Sequence, residues 1–254
     1  MLEGCASLIC LTAVLAQAPI YSIEPQPRTA AELMKRFTPA QIDVLEKLNR
    51  RDREHIVRLE PKVPGIVVPN SFDHEELTYS PMPRSWPAAA GLAKIIVVDQ
   101  PSQTFGAYEH GTLVRWGPIS SGRAETPTPS GGFYLTWKSR KRTSTDNDAW
   151  ILEWYFNFVN ERGVSFHQFD LPGYAASHAC VRLLQRDAEW LYGWGEQWQL
   201  EDGGRKVRQT GTPVLIAGAY DHKAAPLWLS IAWLAKGVAL PNALPFAASV
   251  PVID

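Results

Sequence analysis

The sequence has no excess of either charge. Its 25 Lys and Arg stand against 26 Asp and Glu, a formal net charge of -1 over 254 residues. Nucleic-acid-binding domains usually present a basic face, so the balance gives no electrostatic ground for that partner. Long apolar runs are also missing. The N-terminal run Leu8 to Ala16 (LICLTAVLA) is shorter than the ~20 residues needed to span a bilayer, and Lys236 with Pro241, Pro245 and Pro251 interrupts the apolar tail. Cysteine is scarce, at three residues, and neither Cys5 nor Cys10 follows a lipobox, which disfavours a lipoprotein. The close cysteine pairs and His-Glu-x-x-His spacing that make a zinc assignment strong do not occur. No cofactor is expected.

The composition is that of a globular chain, with 45% hydrophobic and 20% charged residues. Ten tryptophans suit either a core or a carbohydrate site. Residues 1–18 read as a signal peptide, because the apolar run is followed by Ala16-Gln17-Ala18, an A-x-A pattern. The opening Met1-Leu2-Glu3-Gly4 lacks the usual basic residues, and a buried N-terminal helix is the alternative. The expectation is an exported protein of the periplasm or cell envelope. Removing the segment leaves Cys180 as the lone cysteine, which in an exported protein points to a reactive thiol or to pairing between molecules. Oligomeric state is not legible.

Residues 19–90 read as linkers around a small helical unit. Pro19 to Arg28 and Asn70 to Ala90 are rich in Pro or Ser, and apolar residues fall at helical spacing from Ala30 to Asn49. Thr38-Pro39 has the form of an N-cap and first-turn proline, and GIVVP (Gly65 to Pro69) is a short strand candidate. From residue 91 to 218 the pattern changes to strand-like runs. These are Lys94 to Asp99, Thr104 to Tyr108, Thr112 to Trp116, Gly132 to Trp137 and Pro213 to Ala217. They predict a mainly β domain, a sandwich or partly closed barrel, with one clear helix from about Leu184 to Trp198. Residues 219–254 form an apolar tail that begins as a packed helix.

The chemistry concentrates in Ser165 to Arg182, SFHQFDLPGYAASHACVR. A thiol becomes a good nucleophile when an imidazole takes its proton and holds the thiolate as an ion pair. On spacing alone three readings stand. Cys180 is a nucleophile with His167 or His178 as base, or the three residues bind zinc, or they are ordinary buried side chains.

The segment SHACVRL, with the upstream histidine of FHQF and LPG between them, resembles the signature of the L,D-transpeptidase (YkuD-type) catalytic domain. The similarity extends to GPISSGRAETPTPSGGFYL, to DAEWLY and to the final strand GTPVLI, covering roughly Leu92 to Gly218. It implies a β-sandwich catalytic domain that transfers peptidoglycan stem peptides through a cysteine thioester. On this resemblance Cys180 attacks the residue at stem position three and expels the terminal D-Ala. His167 matches the general base, oriented by a backbone carbonyl, and His178 lines the site. Ser177 and Ala179 belong to the oxyanion and substrate-binding turn, and Arg182 holds substrate and loop. Carbapenems are expected to acylate such a cysteine. The acyl acceptor is a second stem, a wall-attached protein, or water, the last giving an L,D-carboxypeptidase or hydrolase. Ala179 stands where the family has Gly, and a left-handed backbone there costs an alanine about 1 kcal/mol. Gln168 stands where Gly or Ser is usual. A catalytically decayed wall-binding protein is the alternative from another class. An NlpC/P60 peptidase is rejected, since its D-C-S-G-like element is absent. The segment VLEKLNRRD…GIVVP resembles the later part of a LysM module, a small fold that binds glycan strands. The opening strand of such a module is not visible, and a helical spacer is the other reading.

Overall fold

The computed structural model describes residues 19–59, 65–145 and 147–246. The expected signal peptide, with Cys5 and Cys10, lies outside the described residues. The N-terminal unit comprises β1 (Tyr21–Glu24), α1 (Ala30–Arg36), α2 (Pro39–Asn49), α3 (Arg53–Ile56) and β2 (Ile66–Pro69). The two strands pair antiparallel, Tyr21 opposite Pro69 and Glu24 opposite Ile66. Thr38 and Gln41 form a reciprocal capping box at the start of α2, with Pro39 in its first turn, so this boundary follows directly from sequence. Strand β1 corrects the linker expectation for Pro19 to Arg28. A four-residue strand is stabilised by its distant partner rather than by local pattern.

The second expected linker is also a correction. Asn70 to Ala90 contains two short 3-10 turns, and its Tyr79, Met82, Trp86 and Ala89 are buried in one core with Leu48 of α2. Proline and serine shaped its turns without making it a flexible tether.

Beyond it the chain is mainly β. Strands β3 (Ile95–Asp99), β4 (Thr104–Glu109), β5 (Thr112–Ser120), β6 (Gly131–Tyr134), β7 (Lys138–Thr143), β8 (Ile151–Val159), β9 (Val164–Gln168) and β10 (Val181–Leu183) precede α4 (Gln185–Trp194). A small hairpin of β11 (Gln199–Glu201) and β12 (Lys206–Gln209), then β13 (Pro213–Ala217) and α5 (Ile231–Lys236), complete the described chain. Among the described residues, nine strands form one mixed, curled sheet in the order β6-β13-β3-β4-β5-β10-β9-β8-β7.

Next to the edge strand β6, the pair β13 and β3 is parallel and buried on both faces. Ile96, Val98, Val214 and Ile216 point into the main core, whereas Ile95, Val97 and Leu215 point into the core shared with the N-terminal segments. This two-sided burial explains the unbroken apolar runs KIIVVD and PVLIA.

Buried ions tie the N-terminal unit to the sheet. Lys47 of α2, 1% exposed, donates to the Trp116 carbonyl at 2.9 Å and contacts Glu76. Its ammonium lies 3.8 Å from the fully buried Asp187 of α4, which also receives Arg115 at 2.7 Å. Breaking such a group by removing one partner costs about 3–5 kcal/mol, because the remaining charges stay buried. Asp187→Ala is therefore expected to destabilise the protein by roughly that amount in urea unfolding. A loss within about 1 kcal/mol would show that Glu76 alone neutralises the cluster.

Candidate active site

The parallel pairing of β9 and β10 builds the site. Val181 lies opposite Phe166 and Arg182 opposite His167, so Cys180 enters β10 beside Ser165. Side chains two apart on a strand share a face. Ser165 and His167 therefore line up along β9 on one side. The Ser165 hydroxyl lies 3.4 Å from the Cys180 sulfur, and the thiol reaches the Gly163 carbonyl at 3.8 Å.

The loop ahead of Cys180 is held from two directions. The Ser177 N–H donates to the Ser121 carbonyl at 3.0 Å, and the Arg123 N–H donates to the Ser177 carbonyl at 2.9 Å. Thr128 accepts from the Gly122 N–H at 2.8 Å and donates to the Ala179 carbonyl at 2.7 Å. The Ser177 hydroxyl donates to the Cys180 carbonyl, closing a tight turn. Ala179 takes φ +71 within that turn, the left-handed conformation that suits glycine. Its strain of about 1 kcal/mol is offset by its methyl, which packs into the main core and contributes about 0.8 kcal/mol for the buried carbon. Alanine is thus nearly neutral here.

The other end of the loop is fixed by the N-terminal unit. Asp52, the N-cap of α3, accepts the Leu171 N–H at 2.7 Å through its carboxylate, and its own N–H donates to the Leu171 carbonyl at 3.1 Å. The His55 Nδ1–H donates to the same carboxylate at 2.8 Å. These hydrogen bonds hold the Asp52 carboxyl below the usual carboxylate range, against the opposing push of burial. Gly173 takes φ +91, and any Cβ there would lie 3.0 Å from the Arg51 side chain.

Cys180, His167, His178, Ser177 and Arg182 line one pocket of about 30 Å³, together with Ser144, Trp150, Leu152 and Phe169. Of the residues expected at the site, Ala179 stands apart from these walls. Trp150, the residue before β8, meets His178 edge-on at 5.7 Å and Phe169 at 6.1 Å. The Arg182 guanidinium sits 4.6 Å over the Phe169 ring and donates to the Asp170 carbonyl at 3.4 Å. Burial lowers the Arg182 pKa from its ordinary value. Among the described residues no group of three or more His, Cys, Asp or Glu is arranged to hold a metal ion.

The His167 ring is 4% exposed, and its Nδ1 pairs with the Gln168 carbonyl at 2.9 Å. A carbonyl only accepts, so Nδ1 carries the proton and Nε2 keeps its lone pair. Burial pushes the imidazole down from 6.5 to about 4, with Arg182 adding to the effect and the Gln168 contact opposing it. His167 is therefore neutral near pH 7, in the form a base requires. A standing imidazolium–thiolate pair through His167 is disfavoured, because the buried cation lacks solvation.

Sequence reasoning passed over Ser165 and the polar chain behind it. Thr136 donates to Asn157 Oδ1 at 2.7 Å, Asn157 donates to the Tyr155 hydroxyl at 3.1 Å, and Tyr155 is hydrogen-bonded to Ser165. All four side chains are buried. The period-2 spacing of Ser165 and His167 was the available signal.

These features describe a mainly β domain with a cysteine and two histidines in one pocket. Residues 93–216 match the model of the YkuD family, the L,D-transpeptidase catalytic domain. No curated protein matches the chain. Among solved structures, the chain is similar to an L,D-transpeptidase from Stackebrandtia nassauensis at 23% identity and TM-score 0.41, covering 59% of this chain and 61% of that one. It thus spans about three fifths of that protein's length. Residues 123–326 of an L,D-transpeptidase from Xylanimonas cellulosilytica match at 24% identity and TM-score 0.47, covering 79% and 99%. One from Mycobacterium tuberculosis H37Rv matches at 23% and 0.40, covering 61% and 73%.

Two predictions follow from the geometry. The unfolded chain binds a proton at His167 near pH 6.5, and the folded chain only near 4, so the unfolded state is favoured as pH falls through that window. The stability at stake is about 3 kcal/mol, complete above 6.5 and lost towards 4. Urea unfolding should show a smaller loss between pH 7 and 4.5 in His167→Gln than in the parent, and equal losses would contradict a depressed histidine. Ser165→Ala should raise the pH midpoint for iodoacetamide alkylation of Cys180, since a hydroxyl donor stabilises the thiolate. An unchanged midpoint would leave Ser165 as packing alone.

Proposed function

We propose that the chain is a peptidoglycan L,D-transpeptidase that works through a Cys180 thioester on tetrapeptide stems, in cross-linking or remodelling the cell wall. The observation that carries this reading is a YkuD segment in which Cys180 shares a pocket with a buried, neutral His167 whose Nε2 is left to accept a proton. His167 takes the thiol proton as Sγ bonds to the carbonyl carbon of the third stem residue. The C–N bond to the terminal D-Ala then breaks, and His167 returns the proton to the leaving amine. In the second half the acceptor amine bonds to the thioester carbon, the C–S bond breaks, and the amine proton passes through His167 back to sulfur.

The left-handed turn at Ala179 supports an oxyanion site formed by backbone N–H groups at 179–180, with Ser177 holding the turn through the Cys180 carbonyl. Arg182 and Phe169 form a wall for the donor peptide, and His178 with Trp150 forms another. We place the protein outside the cytoplasm, where its substrate lies. Among the described residues no helix is long and apolar enough to cross a membrane.

The test is incubation of the full protein with disaccharide-tetrapeptide, with products read by mass spectrometry. Cross-linked dimer with release of D-Ala is expected, and Cys180→Ala should lose at least about 10³-fold in rate, the scale on which loss of a covalent nucleophile is read. A carbapenem should add its mass to the parent and not to that variant. Neither product nor adduct from the parent would overturn the assignment, and tripeptide alone would replace it with a hydrolase.

A further inference from the structure

A second, larger cavity of about 440 Å³ lies between the N-terminal unit and the catalytic sheet. One wall is built from Glu46, Asp52 and Glu54 of the α2–α3 region, and the other from Gln185, Arg186 and Glu189 of α4. Its floor is Gln168-Phe169-Asp170, the chain that leaves β9 directly after His167. Phe169 is a wall of both cavities, and the Gln168 carbonyl holds the Nδ1 proton of His167. The cavity therefore shares the Phe169 wall with the Cys180 pocket and runs behind the residue whose carbonyl orients the base.

We propose that this groove receives the acyl acceptor, a peptide bearing a free amine, and that the N-terminal unit serves the reaction by supplying one of its walls. The proposal rests on the transpeptidase reading above. Acyl transfer to an amine needs room for two peptides, and the Cys180 pocket, at about 30 Å³, is little larger than one water. The groove falls within the size range of ordinary ligand sites. Its charge suits an ammonium. Arg186 is taken up by Glu46 at 2.6 Å and by Asp43, and Arg53 also faces Asp43. The carboxylates of Asp170 and Glu189 then outweigh the arginines along the walls. A cleft of one sign concentrates oppositely charged ligands. The acceptor arrives as an ammonium, loses one proton to water on approach, and reaches the thioester past Phe169; as the C–N bond forms and the C–S bond breaks, its second N–H proton passes through His167 to the departing sulfur.

The experiment separates the two half-reactions in the full protein. Acylation of Cys180 is followed with a carbapenem, and transfer with disaccharide-tetrapeptide as donor and a stem tripeptide as acceptor. Two variants probe the groove. Glu54→Lys/Glu189→Lys reverses charge on both walls, and Gln185→Trp fills the space without changing charge. Both are expected to raise the acceptor KM about tenfold or more, while the acylation rate stays with the parent. Added salt should raise the parent's acceptor KM and flatten the difference from the charge variant. An unchanged acceptor KM in both variants overturns the groove and leaves the transpeptidase reading intact. A parent that acylates but forms only hydrolysed tripeptide also overturns it. A parent that forms no adduct at Cys180 sinks the parent reading, and the acceptor site with it.

Discussion

The site depends first on the parallel register of β9 and β10. That pairing sets Arg182 against His167 and brings Cys180 alongside Ser165, although the chain between them makes a long excursion through the 169–179 loop. Parallel neighbours cannot be joined by a tight turn, so the crossover must be held in place by something outside it. Here it is held at both ends. The 121–128 segment pins Ser177 and Ala179, and Asp52 pins Leu171.

This arrangement changes the meaning of the N-terminal unit. It is a β-α-α-α-β unit whose ends close as a two-stranded ladder, yet it contributes to the catalytic domain's own packing. Leu48 enters the shared core, Lys47 reaches Asp187, and Arg51 fills the space left by Gly173. Stability and the geometry of the Cys180 pocket are therefore coupled through the same few residues. A change in α2 or α3 reaches the loop between histidine and cysteine without touching either.

His167 and Cys180 sit in contrasting surroundings. His167 is desolvated and flanked by the Arg182 charge, which keeps it neutral. Cys180 instead meets a hydroxyl backed by Tyr155, Asn157 and Thr136, a chain of polar groups satisfied inside an apolar core. Such a network is costly if broken, because each member left alone would be a buried unsatisfied group. The fold thus spends buried polarity on one side of the pocket and withholds it on the other.

Much of this was legible without coordinates, and the physical reason separates what was from what was not. Cys180 with His167 and His178, the Thr38-Pro39 cap and the strands KIIVVD and PVLIA were readable because period, capping and reactive-residue chemistry act over a few residues. Strand β7, KSRKRT, carries no apolar alternation and is defined by pairing with the next strand, β8, whereas the four-residue β1 is defined by β2, a partner distant in sequence. Asn70 to Ala90 read as a linker because proline and serine are turn formers whether or not the turn is packed. The neutrality of His167, the left-handed Ala179 with its buried methyl, the role of Ser165 and the groove beside α3 are properties of neighbours brought together by folding. The sequence by itself determined which chemistry was available; tertiary structure decided which groups meet, which lose their water, and where a groove opens between the N-terminal unit and α4, because desolvation and pairing are set by contacts between segments far apart in the chain.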